Sequence, residues 1–445
     1  MAVGSKMTLP NSGWLERLRR GDLGAQGWAA LGGLAAFLFF LINIQHPRSL
    51  FFDEIYYVPA ARHVLALSSP LNEEHPPLAK FIIALGMRIL GDNHFGWRVP
   101  SALFGGITLF ASVMFAWELY RSARIAVLTG VLLVAGHLLF IQSRIAMLDI
   151  FMAAFLMLAL WQVAAAVRAE RQAWQRLAWA GVMLGLAIGC KWTAAPYGVV
   201  IGLGFFIWRA AMLGKRAWNP KTLLLDRRAG PVRGVSLLEA GLLLGLLPAL
   251  AYLACYIPMS FFAENAVPPS EYLSYQVEMA RRQAGYMAEH TYSSQWWQWI
   301  IDERPIWYLY EEAEGAIRGV VLLGNPIIMW GGLAAMVISV IIGKRQRNWA
   351  LFVPTGLWLV GVDIWAVLPK KVTFYHHYLI PSFFLTIALA AAIDYLWLRD
   401  RKYAAPALLL IAILAVFVDF YPIIAALPLG GPQAFNHWMW LDSWR

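Results

Sequence analysis

The chain has 445 residues, of which 60% are hydrophobic and 14% charged. Soluble domains carry about a quarter charged residues, so the composition excludes one and points to an all-α polytopic membrane protein. In such a protein the net charge of +10 matters through the side on which each charge falls, and no nucleic-acid partner is expected.

Apolar runs of about 20 residues, each able to cross a hydrocarbon core about 30 Å thick, place eleven spans. They fall at 26–44, 99–119, 124–142, 147–167, 177–190, 194–213, 235–257, 318–342, 349–368, 378–397 and 404–424. Residues 1–25 form a basic segment expected in the cytoplasm, and 26–445 a single transmembrane domain. With that orientation, 22 of the 36 Lys and Arg lie inside and 16 of the 26 Asp and Glu outside, as the positive-inside rule requires.

The first outer loop, 45–98, contains "FFDEIYYVPA" (51–60), with Asp53 and Glu54 side by side. Adjacent residues on a helix diverge by about 100°, so the two acids suit divided labour, one taking a proton and the other holding an acceptor. "IYYVPAARHVLAL" and "HPPLAKFIIALGMRIL" read as short helices lying on the membrane, the second opened by Pro-Pro. Scarce cations follow on the same outer side: Arg98, Arg144, Lys191, Lys370 and Lys371. They read either as phosphate ligands or as snorkelling interfacial residues. "TFYHHY" sets His376 and His377 between tyrosines, where an imidazole bonds a phosphate, binds metal or packs.

The outer loop 258–317 carries an amphipathic stretch (264–290) and "YSSQWWQWIIDERPIWYLYEE" (292–312). Asp363 and Asp419 lie within spans, as functional acids or as interhelical hydrogen-bond partners. Cys190 and Cys255 read as core residues, with pairing left open. No phosphate-binding loop, dinucleotide fingerprint or zinc-protease helix is present.

Taken in order, "FDE", "HPPLAK", "WRVPSALFG", "SRIAMLD", "GCKWTA", "YSSQWWQWIIDERPIWY", "GNPIIMW" and "LPKKVTFYHHY" resemble the protein O-mannosyltransferases. These belong to the GT-C superfamily of glycosyltransferases that use lipid-phosphate sugars. The resemblance covers about residues 50 to 380. It implies a GT-C fold with eleven spans, an inner N-terminus and an outer active site. It also implies a polyprenyl-phosphate-mannose donor in the bilayer and Ser or Thr acceptors on secreted or membrane proteins.

By the same resemblance Asp53 is the catalytic base, Glu54 positions the acceptor, and Arg98 is tied to activity. Tyr375 and His376 lie near the carrier phosphate with Lys370 and Lys371, Lys370 standing where the family has arginine. Arg144 and Lys191 complete the expected donor-phosphate set, while His75, Asp149 and Trp296 are expected to position substrate. The 258–317 loop is too short for the MIR domain of eukaryotic relatives, which points to the bacterial members and a cell (inner or plasma) membrane. No cofactor is required, divalent-metal dependence is left open, and a dimer is compatible. Two rival readings are transfer to lipid A or another envelope glycan, and transport without chemistry.

Overall fold

The structure, a computed structural model, describes residues 23–169, 171–285, 291–367, 372–400 and 402–445. The helices that frame the molecule are α1 (Gly24–Phe40), α2 (Glu54–Ala66), α3 (Leu78–Leu90), α4 (His94–Tyr120), α5 (Ala123–Ala135) and α6 (Leu138–Gln142). Then come α7 (Asp149–Arg168), α8 (Ala173–Cys190), α9 (Ala195–Leu213), α10 (Leu237–Phe261), α11 (Tyr272–Gly285) and α12 (Trp296–Ile300). The last four are α13 (Pro326–Gln346), α14 (Val353–Val367), α15 (Leu379–Arg399) and α16 (Ala404–Ile424).

Each of the eleven expected spans overlaps a helical segment. Eight are long and apolar enough to cross a membrane by length and composition; α1 and α5 are shorter apolar helices. The region read as two membrane-lying helices is α2 and α3, as expected.

The eighth span starts later than the apolar run predicts. Residues 316–322 form a β-strand, β2, paired antiparallel with β1 (Ile306–Ala313) in a register that sets Ile306 opposite Leu322 and Ala313 opposite Ala316. The turn residues Glu314 and Gly315 both have positive φ, as a tight two-residue hairpin demands. The expectation of a purely helical chain is thus corrected by one hairpin. Asn325 accepts a hydrogen bond from the Ile327 amide and Pro326 opens α13, so the run breaks at 324–326 because cap chemistry starts a new element there.

Span α15 is the most enclosed, with 83% of its apolar window buried, whereas α9 has 22% buried and faces outward. Around α15 pack α13, α14 and α5, while α4 packs on α1, α3, α5 and α7. At the α1–α4 crossing, a Cβ on Gly33 would lie 2.7 Å from the Gly106 carbonyl oxygen, so only glycine permits that approach. The thiols of Cys190 and Cys255 are both buried and free, which settles the pairing alternative against a disulfide. One end of the bundle collects the C-terminus of α1, helices α2 and α3, the start of α7, the end of α8, α11, α12 and the hairpin. That end carries Asp53.

Candidate active site

The chain reaches Asp53 from α1 through an irregular segment, 41–52, that two arginines hold in place. Arg144 donates to the carbonyls of Phe40 (2.7 Å) and Ile42 (2.5 Å), a cation at a helix C-terminus where the backbone dipole favours it. Arg98 donates to the carbonyls of Ile44, Pro47 and Ser49, and through Nε and Nη2 to both oxygens of Glu54, each at 2.8 Å. Glu54 also accepts from the amides of Ala146 (3.0 Å) and Phe51 (3.4 Å). Arg98 and Glu54 are both wholly buried.

These contacts correct three expectations. Arg98 spends all five donors on backbone carbonyls and on Glu54, so it is not presented to a phosphate. Arg144 commits Nη1 to the carbonyls of Phe40 and Ile42 and is absent from the lining of the cavity that holds Asp53. Glu54 faces the protein rather than an acceptor, because its lone pairs are consumed by a guanidinium and two amides.

Asp53, one residue earlier and turned by the helix, lines a cavity of roughly 370 Å³. Tyr57, one turn on, aims its hydroxyl at Asp53 Oδ2 across 3.4 Å. Burial, then the charges of Asp53, Asp149 and Glu74, push the Tyr57 hydroxyl well above its usual range, so it stays a donor. The same cavity is lined by His75, Lys191, His376 and His377, and by Asn72, Glu74, Arg282 and Gln283.

Of the sequence-derived set, the structure therefore brings Asp53, His75, Lys191 and His376 together. Lys191 reaches the cavity already paired, its ammonium 2.8 and 2.9 Å from the oxygens of Asp149. Asp149 lines a narrow crevice instead, with Thr193, Tyr197, Ile364 and Trp365, that shares His376 and His377 with the cavity. Lys370 and Lys371 lie outside the described residues; Val372, next in the chain, lines the cavity. Tyr375 and Trp296 are absent from its lining. Tyr375 is wholly buried with its hydroxyl on Asp302, and it is Trp299, not Trp296, that stacks on His377.

Several wall residues carried no sequence signal of their own. The loop 71–76, which presents Glu74 and His75, is organised by Lys80 of α3. Its ammonium donates to the carbonyls of Leu71 (3.2 Å), Asn72 (2.6 Å) and His75 (3.0 Å). Burial pulls that ammonium down to about 8, against the opposing pull of Glu74 and Glu73. Helix α11 closes the opposite wall: Arg282 pairs with Glu73 at 2.7 Å, and the Tyr275 hydroxyl donates to the same carboxylate at 3.0 Å. The amphipathic stretch 264–290 announced the helix but not its docking. The intramembrane acids are peripheral: Asp363 is exposed, and Asp419 accepts from His437 of the C-terminal tail.

Two sequence families match the chain. One, described as the C-terminal four TMM region of protein-O-mannosyltransferase, covers residues 269–444; the other, dolichyl-phosphate-mannose-protein mannosyltransferase, covers 74–224. The chain belongs to the protein O-mannosyltransferase family. It is 26% identical to a polyprenol-phosphate-mannose–protein mannosyltransferase of Mycolicibacterium smegmatis, over 100% of this chain and 97% of that protein. Its fold matches the S. cerevisiae protein O-mannosyltransferase Pmt1-Pmt2 complex bound to the sugar donor, with a TM-score of 0.74, 14% identity, and coverage of 94% of this chain and 93% of that one. ArnT from Cupriavidus metallidurans bound to undecaprenyl phosphate is similar at a TM-score of 0.56 and 16% identity, over 92% of this chain and 67% of that one. As a member of this family the chain is a multi-pass membrane glycosyltransferase.

Proposed function

We propose that this protein O-mannosyltransferase moves mannose from a polyprenyl-phosphate-mannose donor to Ser or Thr hydroxyls of secreted or membrane proteins, at the outer face of the cell membrane. The observation that carries the reading is the cavity: the Asp53 carboxylate shares it with Glu74, three imidazoles (His75, His376 and His377) and Lys191, at the end of a bundle whose relatives are named for this chemistry.

A serine hydroxyl is a poor nucleophile at neutral pH. Asp53 takes its proton as the oxygen attacks the anomeric carbon from the face opposite the phosphate. The new C–O bond forms as the bond to the phosphate oxygen breaks, inverting the anomeric centre. The electron pair leaves on the lipid phosphate, which His376, His377, Lys191 and the adjoining Lys370-Lys371 segment stabilise. Glu74 and Gln283, which line the same cavity, meet the acceptor. The scheme calls on no cofactor.

Purified protein with labelled polyprenyl-phosphate-mannose and a Ser/Thr peptide tests this directly. Labelled glycopeptide is expected. Labelled lipid A would shift the acceptor to an envelope glycan, and unaltered donor would leave a transporter. Asp53→Asn is expected to cut transfer by about 10²–10⁴-fold, the usual worth of a general base, with donor binding retained. Transfer at the wild-type rate would remove Asp53 from the role.

A further inference from the structure

One buried carboxylate has no part in that scheme. Asp302 is fully buried, and its Oδ1 accepts from the Tyr375 hydroxyl at 2.5 Å and from the Gly324 amide at 3.3 Å, while Oδ2 has no hydrogen-bond partner among the described residues. The Asp302 backbone is fixed as well. Its carbonyl accepts the Trp444 indole N–H at 2.7 Å, and its φ of +58° places it in the left-handed region just past α12.

Tyr375 begins a 3₁₀ turn, Tyr375–Tyr378, whose second and third residues are the cavity histidines. Two further clamps join the same segments. Ser294 and Thr373 exchange hydrogen bonds, amide to carbonyl at 2.8 Å and hydroxyl to carbonyl at 2.6 Å. The Trp299 ring lies 5.7 Å from the His377 ring at an interplanar angle of 20°. Residues 294–302 thus form the bed in which 373–378 lies, with Asp302 at its deepest point.

We propose that Asp302 is a positioning residue: through the Tyr375 hydroxyl it sets the placement of His376 and His377 toward the donor phosphate. A buried acceptor aimed at a tyrosine fixes the ring in depth and rotation at once, and rings held this way keep their neighbours at the geometry the leaving group needs. The titratable side chains against Asp302 are Tyr375 and Tyr378, both on the turn it supports. The inference rests on the proposed function in taking the two imidazoles to face the phosphate.

The test uses full-length protein in nanodiscs, with Asp302→Asn, Asp302→Ala and Tyr375→Phe. The readouts are thermal stability, KM for polyprenyl-phosphate-mannose and for peptide, and binding of polyprenyl phosphate alone. Asn keeps Oδ1 in place and is expected to hold donor KM near the wild-type value. Ala and Tyr375→Phe each delete the bond and are expected to raise donor KM about fivefold or more, the worth of one hydrogen bond, with peptide KM unmoved. Tyr375→Phe keeps the ring and its packing, so it reads the bond even where Asp302→Ala fails to fold. Equal donor KM for Tyr375→Phe and wild type overturns the proposal, as does an equal rise in donor and peptide KM. If wild type transfers no mannose, the function fails first; binding of polyprenyl phosphate still decides the positioning, because variants that bind it as wild type does overturn it.

Discussion

Two adjacent acids with opposite fates show how much a single residue's surroundings decide. Asp53 lines a cavity, whereas Glu54 is sealed against Arg98 at 2.8 Å with both side chains wholly buried. Removing one partner of such a pair strands a buried charge at a cost of about 3–5 kcal/mol. Glu54→Gln is therefore expected to lower the thermal midpoint sharply while the folded fraction keeps its donor KM. A stable Glu54→Gln protein with raised donor KM would return Arg98 to the phosphate. The sequence made Asp53 and His376 legible, because a polar group beside an apolar span needs a reason to be there. It did not reveal the partners of Arg98 and Arg144, since no spacing shows that a cation donates to carbonyls more than 40 residues away. Asp302 went unnoticed for the same reason. Burial pushes its carboxyl up to about 7, with the bonds from Tyr375 and Gly324 pulling back. A carboxyl raised in the folded state binds more protons there than in the unfolded chain. Its contribution is then fully present below the ordinary value of 3.8 and is lost as pH rises through about 7. Stability should fall over that window by at most ~1.4 kcal/mol per pH unit, and Asp302→Asn should flatten the profile. Thermal unfolding from pH 5 to 8 measures the difference; parallel curves would count against a protonated Asp302.

Among the elements, α3 matters more than its length suggests. Its apolar face packs into the core through Ala79, Ile83, Ala84 and Met87, and this burial carries Lys80 into the 71–76 loop. Three carbonyls converge on one ammonium, and bonds to a charged group are worth about 1.5–3 kcal/mol each. Lys80→Met keeps the apolar stem and removes the donors. The expected result is a loss of at least ~2 kcal/mol together with a fall in kcat, since the loop presents Glu74 and His75 to the cavity. Wild-type kcat in the variant would mean that the loop holds its shape unaided. The helices were readable because a membrane demands long apolar runs and supplies little else to confuse them. The hairpin was not. Val320 to Leu323 are all buried, and a strand covered on both faces reads as the same continuous apolar run that a span does. Only Asn325 and Pro326 marked the join.

For the whole molecule, burial and charge describe one object from two directions. The bundle is built around α15 and presents α9 outward, so the least buried span faces the solvent its apolar surface requires, which is lipid. The two ends then differ in kind. One holds the basic loop 214–234, where Arg209 gathers the carbonyls of Thr222, Leu223, Asp226 and Ala229. The other holds the carboxylates, imidazoles and aromatic residues of the cavity. The proposed orientation follows the positive-inside rule, which puts the end richer in Lys and Arg in the cytoplasm, and under that proposal a donor with its phosphate at the second end is used outside. That orientation is open to a direct measurement. With Cys190 and Cys255 replaced by alanine, a single cysteine is placed at Glu311→Cys on the hairpin or Lys221→Cys on the basic loop, both exposed positions. In intact cells a membrane-impermeant maleimide should label the first and spare the second, and permeabilisation should expose both. The reverse pattern would put Asp53 in the cytoplasm, and the chemistry assigned to the cavity would then have to work on cytoplasmic acceptors.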